Sequence, residues 1–218
     1  MQKLIDAKEE LERLYGVKVL PLQADISASA DNRATVASVV EQTVKEFGGI
    51  DVLINNAQAS ASGVSLVDHT TEQFDLAIYS GLYSTFYYMQ ACYPYLAKAK
   101  GSVINFASGA GLSGKVGQSS YAAAKEGIRG MTRSTANEWG QYNINCNVVC
   151  PLVMTDKLAQ WKEEYPEVYA KTIQGVPLGR FGDAEKDIGR LCVFLASEDA
   201  SFITGETITI QGGVGMRP

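Results

Sequence analysis

The sequence is poor in the residues that metal enzymes and triad hydrolases need. It has a single histidine in 218 residues, and its four cysteines form no C-x-x-C pair. We therefore expect no metal site and no serine–histidine triad. The cysteines are expected to be reduced, buried thiols, as is typical of a cytoplasmic protein. They are Cys92, Cys146, Cys150 and Cys192.

Positive charge and long apolar runs are scarce as well. Nineteen lysines and arginines face 24 acidic residues, so the net charge is -5, and no basic cluster stands out. This composition argues against a nucleic-acid partner. No apolar run approaches the roughly 20 residues of a membrane span, and the charged amphipathic N-terminus is unlike a signal peptide. We expect neither a nucleic-acid nor a membrane partner.

The chain alternates short apolar runs with amphipathic segments, which predicts a parallel sheet covered by helices on both faces. Without linkers or repeats, residues 1–218 are predicted to form a single α/β domain. Predicted strands are 17–22, 50–54, 102–107, 144–150 and 206–210. Predicted helices are 3–15, one capped by Asp31, one from about Thr71 with a longer continuation, one carrying Tyr121, 156–174, and one capped by Asp183.

A tyrosine and a lysine stand four residues apart in an Ala-rich stretch that is typical of a helix. Tyr121 and Lys125 would share one face of that helix, where the ammonium would favour the ionised phenol and lower its pKa. Ser108 ends a β-branched run, at the sheet edge where ligands bind in open α/β folds. Tyr121 and Lys125 alone would also fit an ordinary solvated helix face. With Ser108 nearby, the three residues together indicate a catalytic site.

With its serine thirteen positions before the tyrosine of a Tyr-x-x-x-Lys motif, the sequence resembles the short-chain dehydrogenase/reductase family. The resemblance covers essentially the whole chain and is greatest to 3-oxoacyl-carrier-protein reductases and sugar or polyol dehydrogenases. It implies a Rossmann-like, doubly wound fold and hydride transfer between NAD or NADP and a small-molecule carbonyl/alcohol pair. Ser108 would polarise the substrate oxygen and Tyr121 would pass the proton. Lys125 would lower the tyrosine pKa and bind the nicotinamide ribose.

The same resemblance implies further contacts with the cofactor, the substrate and a second copy of the chain. Residues 156–180 would cover the substrate, and the aromatic helix after Thr71 would pack between subunits of a homodimer or homotetramer. The cofactor-binding residues would be Asp25 and Ile26 near the adenine, Asn55 and Ala57 after the next strand, Pro151, Val153 and Thr155 beside the carboxamide, and Tyr121 with Lys125.

The sequence departs most from the family pattern at its start. The family's first βαβ unit, with its Gly-rich phosphate turn, has no counterpart here, so we expect an N-terminally truncated sheet. Strands 17–22 and 50–54 would then pair directly, leave exposed edges or borrow structure from another copy of the chain. Residues 109–114, GAGLSG, match G-x-G-x-x-G literally. Because they do not open a helix at once in the predicted pattern, we interpret them as a flexible wall beside Ser108.

Smaller departures lie near the chemistry. Gln58 and Leu152 stand where the family has glycine, and Gly81 stands where many members have an asparagine that holds a water of the proton relay. Ser80 or a second water could substitute. Two alternatives to the oxidoreductase therefore stay open. One is a truncated non-redox homologue that serves as a partner subunit or is a remnant without catalysis. The other is a cofactor-free isomerase or lyase that uses Tyr121 and Ser108.

Overall fold

A computed structural model describes residues 1–27 and 32–215 of the chain. Its centre is a parallel four-stranded sheet in the order β1-β2-β3-β4. The strands are β1 (Val52–Asn55), β2 (Ser102–Phe106), β3 (Asn145–Pro151) and β4 (Thr207–Ile210). Because all four run the same way, their carboxyl ends meet at one edge of the sheet. This α/β architecture, predicted from the alternating pattern, is confirmed.

Helices connect and cover the strands. They are α1 (Gln2–Tyr15), α2 (Arg33–Phe47), α3 (Thr71–Ala77), α4 (Ser84–Ala99), α5 (Gly109–Ser113), α6 (Ser119–Trp139), α7 (Asp156–Glu164), α8 (Pro166–Ile173) and α9 (Arg190–Leu195). Two π-helical segments, Ile78–Tyr83 and Ala184–Gly189, lead into α4 and α9. Among the described residues no helix is both long and apolar enough to span a bilayer.

The two faces of the sheet bury separate apolar clusters. Val103 of β2 packs with α2, α4 and α6 on one face, whereas the next residue, Ile104, packs with α9 on the other. This alternation follows from the strand period of two. Both residues are fully buried, as expected for a parallel strand covered on both sides.

The predicted strand 17–22 is wrong, since the structure has no strand there. A strand needs a partner strand, and this segment has none. It is hydrogen-bonded to α1 instead, because the Val19 amide donates to Glu12 Oε1 at 3.0 Å. β1 consequently ends the sheet, and Val52 and Ile54 are 37% and 48% exposed. The expected exposed edge is therefore present, whereas the direct pairing of the two strands is not.

Two helix predictions have different outcomes. Asp183 is confirmed as a cap, because its carboxylate accepts from the amides of Glu185 and Lys186. Asp31, the predicted cap of α2, lies outside the described residues, and Asn32 precedes the first helical residue.

The prediction of a flexible wall at residues 109–114 is wrong. Residues Gly109–Ser113 make a short helix directly after Ser108.

Candidate active site

Ser108 lies just beyond the carboxyl end of β2, in extended backbone. Its Oγ accepts from the amide of Ala110 at 3.1 Å and so caps the short helix α5. Serine is a preferred residue at this position because its oxygen satisfies an amide that the helix leaves unpaired. The cap explains why the Gly-rich stretch is helical, and it holds the hydroxyl at the edge of the sheet.

Tyr121 lies in the first turn of α6, and its phenol is close enough to Ser108 for the serine hydroxyl to affect its pKa. The structure thus brings together the serine and the tyrosine predicted from their spacing. Burial raises the pKa of Tyr121 above its ordinary value. The Ser108 hydroxyl lowers this pKa in part, and the nearby Cys150 raises it further. The sequence predicted that Lys125 would lower the pKa of Tyr121. In the structure this pKa is raised, because burial outweighs the other effects.

Lys125 is buried one turn along the same helix, with 4% of its surface exposed. Its Nζ donates to the carbonyl of Phe106 at 2.6 Å and lies 5.5 Å from the centre of the Tyr121 ring. Burial lowers the pKa of this ammonium to about 8. A lysine in such a site is costly to keep charged, which is typical of a functional position.

A groove of about 290 Å³ opens beside the free edge of β1. Three of the predicted cofactor residues, Ile26, Asn55 and Ala57, line it together. Asn55 is fixed there because its side-chain amide donates to Asn105 Oδ1 at 2.8 Å. Asp25, the residue predicted to lie near the adenine, is exposed. It accepts hydrogen bonds from the amide and the hydroxyl of Ser27, which lower its pKa.

The remaining predicted residues lie at the end of β3 and just after it. Pro151 ends the strand opposite Ile210, Val153 bridges to Gly182, and Thr155 Oγ1 caps α7 by accepting from the Leu158 amide at 3.3 Å. They lie outside the groove at β1. The predicted cover, 156–180, contains α7 and α8, and its Tyr169 ring packs edge-on against Trp161 and Phe181.

Three polar residues near the site take roles that their sequence positions did not indicate. Ser80, considered above as a relay substitute, is occupied: its Oγ lies 2.6 Å from the Leu76 carbonyl and 3.0 Å from both the amide and the carbonyl of Ala59. His69 Nε2 lies 2.9 Å from the Oγ of Ser120, next to Tyr121. The third is Gln58, whose side chain packs on Gly81.

Comparison with known proteins agrees with this arrangement. A family model described as enoyl-(acyl carrier protein) reductase matches residues 2–215. A 12alpha-hydroxysteroid dehydrogenase of a Clostridium sp. is 64% identical over 217 residues, covering 100% of this chain and 84% of that protein. A 3-oxoacyl-[acyl-carrier-protein] reductase of Thermotoga maritima is 36% identical, covering 94% of this chain and 80% of that protein. The crystal structure of NAD+-bound xylitol dehydrogenase superposes with a TM-score of 0.86 at 25% identity, covering 97% of this chain and 85% of that one.

The fold and these relatives define an oxidoreductase with a Rossmann-like sheet. The chain belongs to the short-chain dehydrogenase/reductase family. Membership implies a nicotinamide cofactor and a small-molecule substrate, as the sequence motif predicted.

Proposed function

We propose that this chain interconverts a hydroxysteroid, or an alcohol of similar bulk, and the corresponding ketone with NAD or NADP. The observation that carries the proposal is the meeting of Ser108, Tyr121 and Lys125 where β2 and α6 come together. The substrate class is supported by the 64% identity, over the whole chain, to a 12alpha-hydroxysteroid dehydrogenase.

Each of the three residues has a distinct part in the proposed reaction. Ser108 donates a hydrogen bond to the substrate oxygen and orients it toward the phenol. Tyr121 takes the hydroxyl proton during oxidation and returns it during reduction, as a general base and acid. Lys125, whose Nζ is anchored on the Phe106 carbonyl, binds the nicotinamide ribose. When bound, the nicotinamide supplies or accepts the hydride at the carbinol carbon.

The residues present fit a nicotinamide dinucleotide. An ammonium has three N–H donors, and Lys125 directs one to Phe106, so the other two can serve ribose hydroxyls. Ile26, Asn55 and Ala57 would line the nucleotide groove, with Asp25 at its adenine end. Pro151, Val153 and Thr155 would border the carboxamide. Residues 156–180 would close over the substrate.

A homodimer or homotetramer and a cytoplasmic location complete the proposal. A second groove of about 480 Å³ between α4 and α6 is lined by polar residues together with aromatic and methionine side chains. The aromatic and methionine residues, among them Phe86, Met131 and Trp139, suit contact with a second copy. The four cysteines are all buried and form no disulfide in the described chain, as suits a reducing compartment.

The proposal is tested with a substrate panel. A 12alpha-hydroxysteroid, a 3-hydroxyacyl thioester and a polyol are each offered with NAD+ and NADP+, and the absorbance of the reduced nicotinamide is followed. We expect turnover of the steroid, and a loss of at least about a hundredfold in Tyr121→Phe, the scale of general acid–base catalysis. Tyr15→Phe, at an exposed position on α1, is the matched control.

Three other outcomes would contradict the proposal. Turnover of the thioester or polyol alone would overturn the substrate class. Conversion of a substrate without any change in the nicotinamide would favour the cofactor-free isomerase or lyase. A folded protein that binds neither cofactor nor substrate would favour a non-redox partner subunit.

A further inference from the structure

Gln58 and Gly81 are in direct contact although 23 positions separate them. A Cβ built on Gly81 would lie 2.7 Å from both Cδ and Nε2 of Gln58 and 3.0 Å from its Oε1. Non-bonded carbon atoms do not approach this closely, so the carboxamide occupies the space that any larger residue at position 81 would need. Gly81 is itself buried in the π-helical segment.

Gln58 also ties its loop to that segment. Its Nε2 donates to the Ala77 carbonyl at 3.3 Å, and the next residue, Ala59, exchanges contacts with Ser80 Oγ at 3.0 Å. π-Helical turns inside α-helices occur frequently at functional sites, because they redirect the helix at the cost of regular hydrogen bonding. Gln58 and Ser80 supply bonds to the backbone at this irregular turn.

The contact joins two segments that both line the nucleotide groove, although Gln58 and Gly81 do not line it themselves. We call residues 55–57, which immediately precede Gln58, one wall of the groove, and Ser84 with Thr85 the other. Thr85 Oγ1 donates to the carbonyl of Gly81 at 2.8 Å, so a displacement at position 81 reaches the second wall as well. The carboxamide thus connects the two segments that carry these walls.

One further observation separates Gln58 from a merely structural glutamine. Its Oε1 is buried and has no hydrogen-bond partner among the described residues. An orphaned buried acceptor destabilises a fold and is uncommon, and it is tolerated chiefly where function or a bound water uses it. The Gln58 side chain is therefore held by its contact with Gly81 and by the hydrogen bond that its Nε2 donates, while its Oε1 has no partner among the described residues.

We propose that Gln58 is a positioning residue for dinucleotide binding, whose carboxamide fills the space left by Gly81 and fixes the two walls of the groove relative to each other. The inference rests on the proposed function, because it assigns the groove to the cofactor. Gln58 and Gly81 then form a matched pair, and a change at one requires a change at the other.

The test is a double-mutant cycle read by cofactor binding and by thermal unfolding. In Gly81→Ala the methyl group displaces the end of a flexible side chain. We therefore expect the Kd for NADH or NADPH to rise about tenfold, while the Tm stays near that of the wild type. Gln58→Gly should weaken binding to a similar degree. The double variant should then bind within about threefold of Gln58→Gly alone, since the methyl group no longer meets an obstacle.

Two controls sharpen the cycle. Gly130→Ala adds a methyl group to α6 where nothing lies within 4 Å, and it should leave the Kd unchanged. Gln58→Met keeps the length of the side chain without its polar atoms and should retain most of the binding if filling the space is what matters. Additive losses in the double variant, or a lower Tm for Gly81→Ala with an unchanged Kd, would overturn the inference.

The readout also separates this inference from the proposed function. Wild-type protein that binds a dinucleotide without oxidising any alcohol refutes the proposed function, and the cycle still decides the role of Gln58. Wild-type protein that binds neither dinucleotide refutes both.

Discussion

The buried charge of Lys125 makes a sharp prediction about stability and pH. Its pKa is lowered from 10.5 to about 8, and burial is the cause. A lysine with a depressed pKa in the folded state destabilises the fold fully at low pH. That cost is relieved as the pH rises from the folded to the unfolded pKa, because the unfolded chain then binds more protons.

The size of the effect follows from the two pKa values. Between pH 6.5 and pH 10, linkage gives the wild type a gain of roughly 2–3 kcal/mol from this group alone, at about 1.4 kcal/mol per pKa unit. Lys125→Met lacks the group, so the other titrations cancel in the difference between the two proteins. We expect the free energy of unfolding of the wild type to rise relative to Lys125→Met by this amount.

The assay is urea unfolding of both proteins at several pH values and one protein concentration. Lys98→Met replaces an exposed lysine near the end of α4 and is the control; its curve should run parallel to the wild type. If Lys125→Met also runs parallel to the wild type, Lys125 does not carry a desolvated charge, and the argument for its functional placement fails.

Three further predictions concern activity, packing and thiol access. Alcohol oxidation by saturated enzyme should accelerate from pH 7 to pH 9.5, because the pKa of Tyr121 is raised and its phenolate fraction grows with pH throughout; a flat profile would contradict Tyr121 as the base. Gly101→Ala should lower the free energy of unfolding by about 1–3 kcal/mol in urea titrations, because its Cβ would collide with the Asp51 carbonyl, whereas Gly130→Ala should not. All four cysteines should react with a thiol reagent in denaturant and none rapidly in the native protein, since all are buried; fast native labelling would contradict the packing.

Strands and helices were predictable where the pattern was local. The runs that became β2 and β3 are apolar on both faces, and the helix around Tyr121 follows from its composition and spacing. The meeting of Ser108 with Tyr121 was also predictable, because a residue at a strand end and a residue in the first turn of a following helix face the same sheet edge.

The predictions that were wrong concerned features that depend on contacts between distant parts of the chain, which a local sequence pattern does not contain. Residues 17–22 have the composition of a strand, but no neighbouring strand pairs with them. The direction of the Tyr121 pKa depends on burial, which exceeds the effect expected from a lysine four residues away. Gln58 and Gly81 each appeared as an isolated departure from the family pattern, and their contact became evident only when the loop and the π-helical segment were placed together.

We propose that the groove beside β1 and the Ser108–Tyr121–Lys125 cluster form one dinucleotide-dependent site. The most direct measurement is titration of the purified 218-residue chain with NADH and with NADPH, following cofactor fluorescence and the quenching of Trp139 and Trp161, with size-exclusion chromatography on the same sample. We expect saturable binding by a discrete folded species. Absence of binding at millimolar cofactor, in a protein that elutes as a folded species, would contradict it.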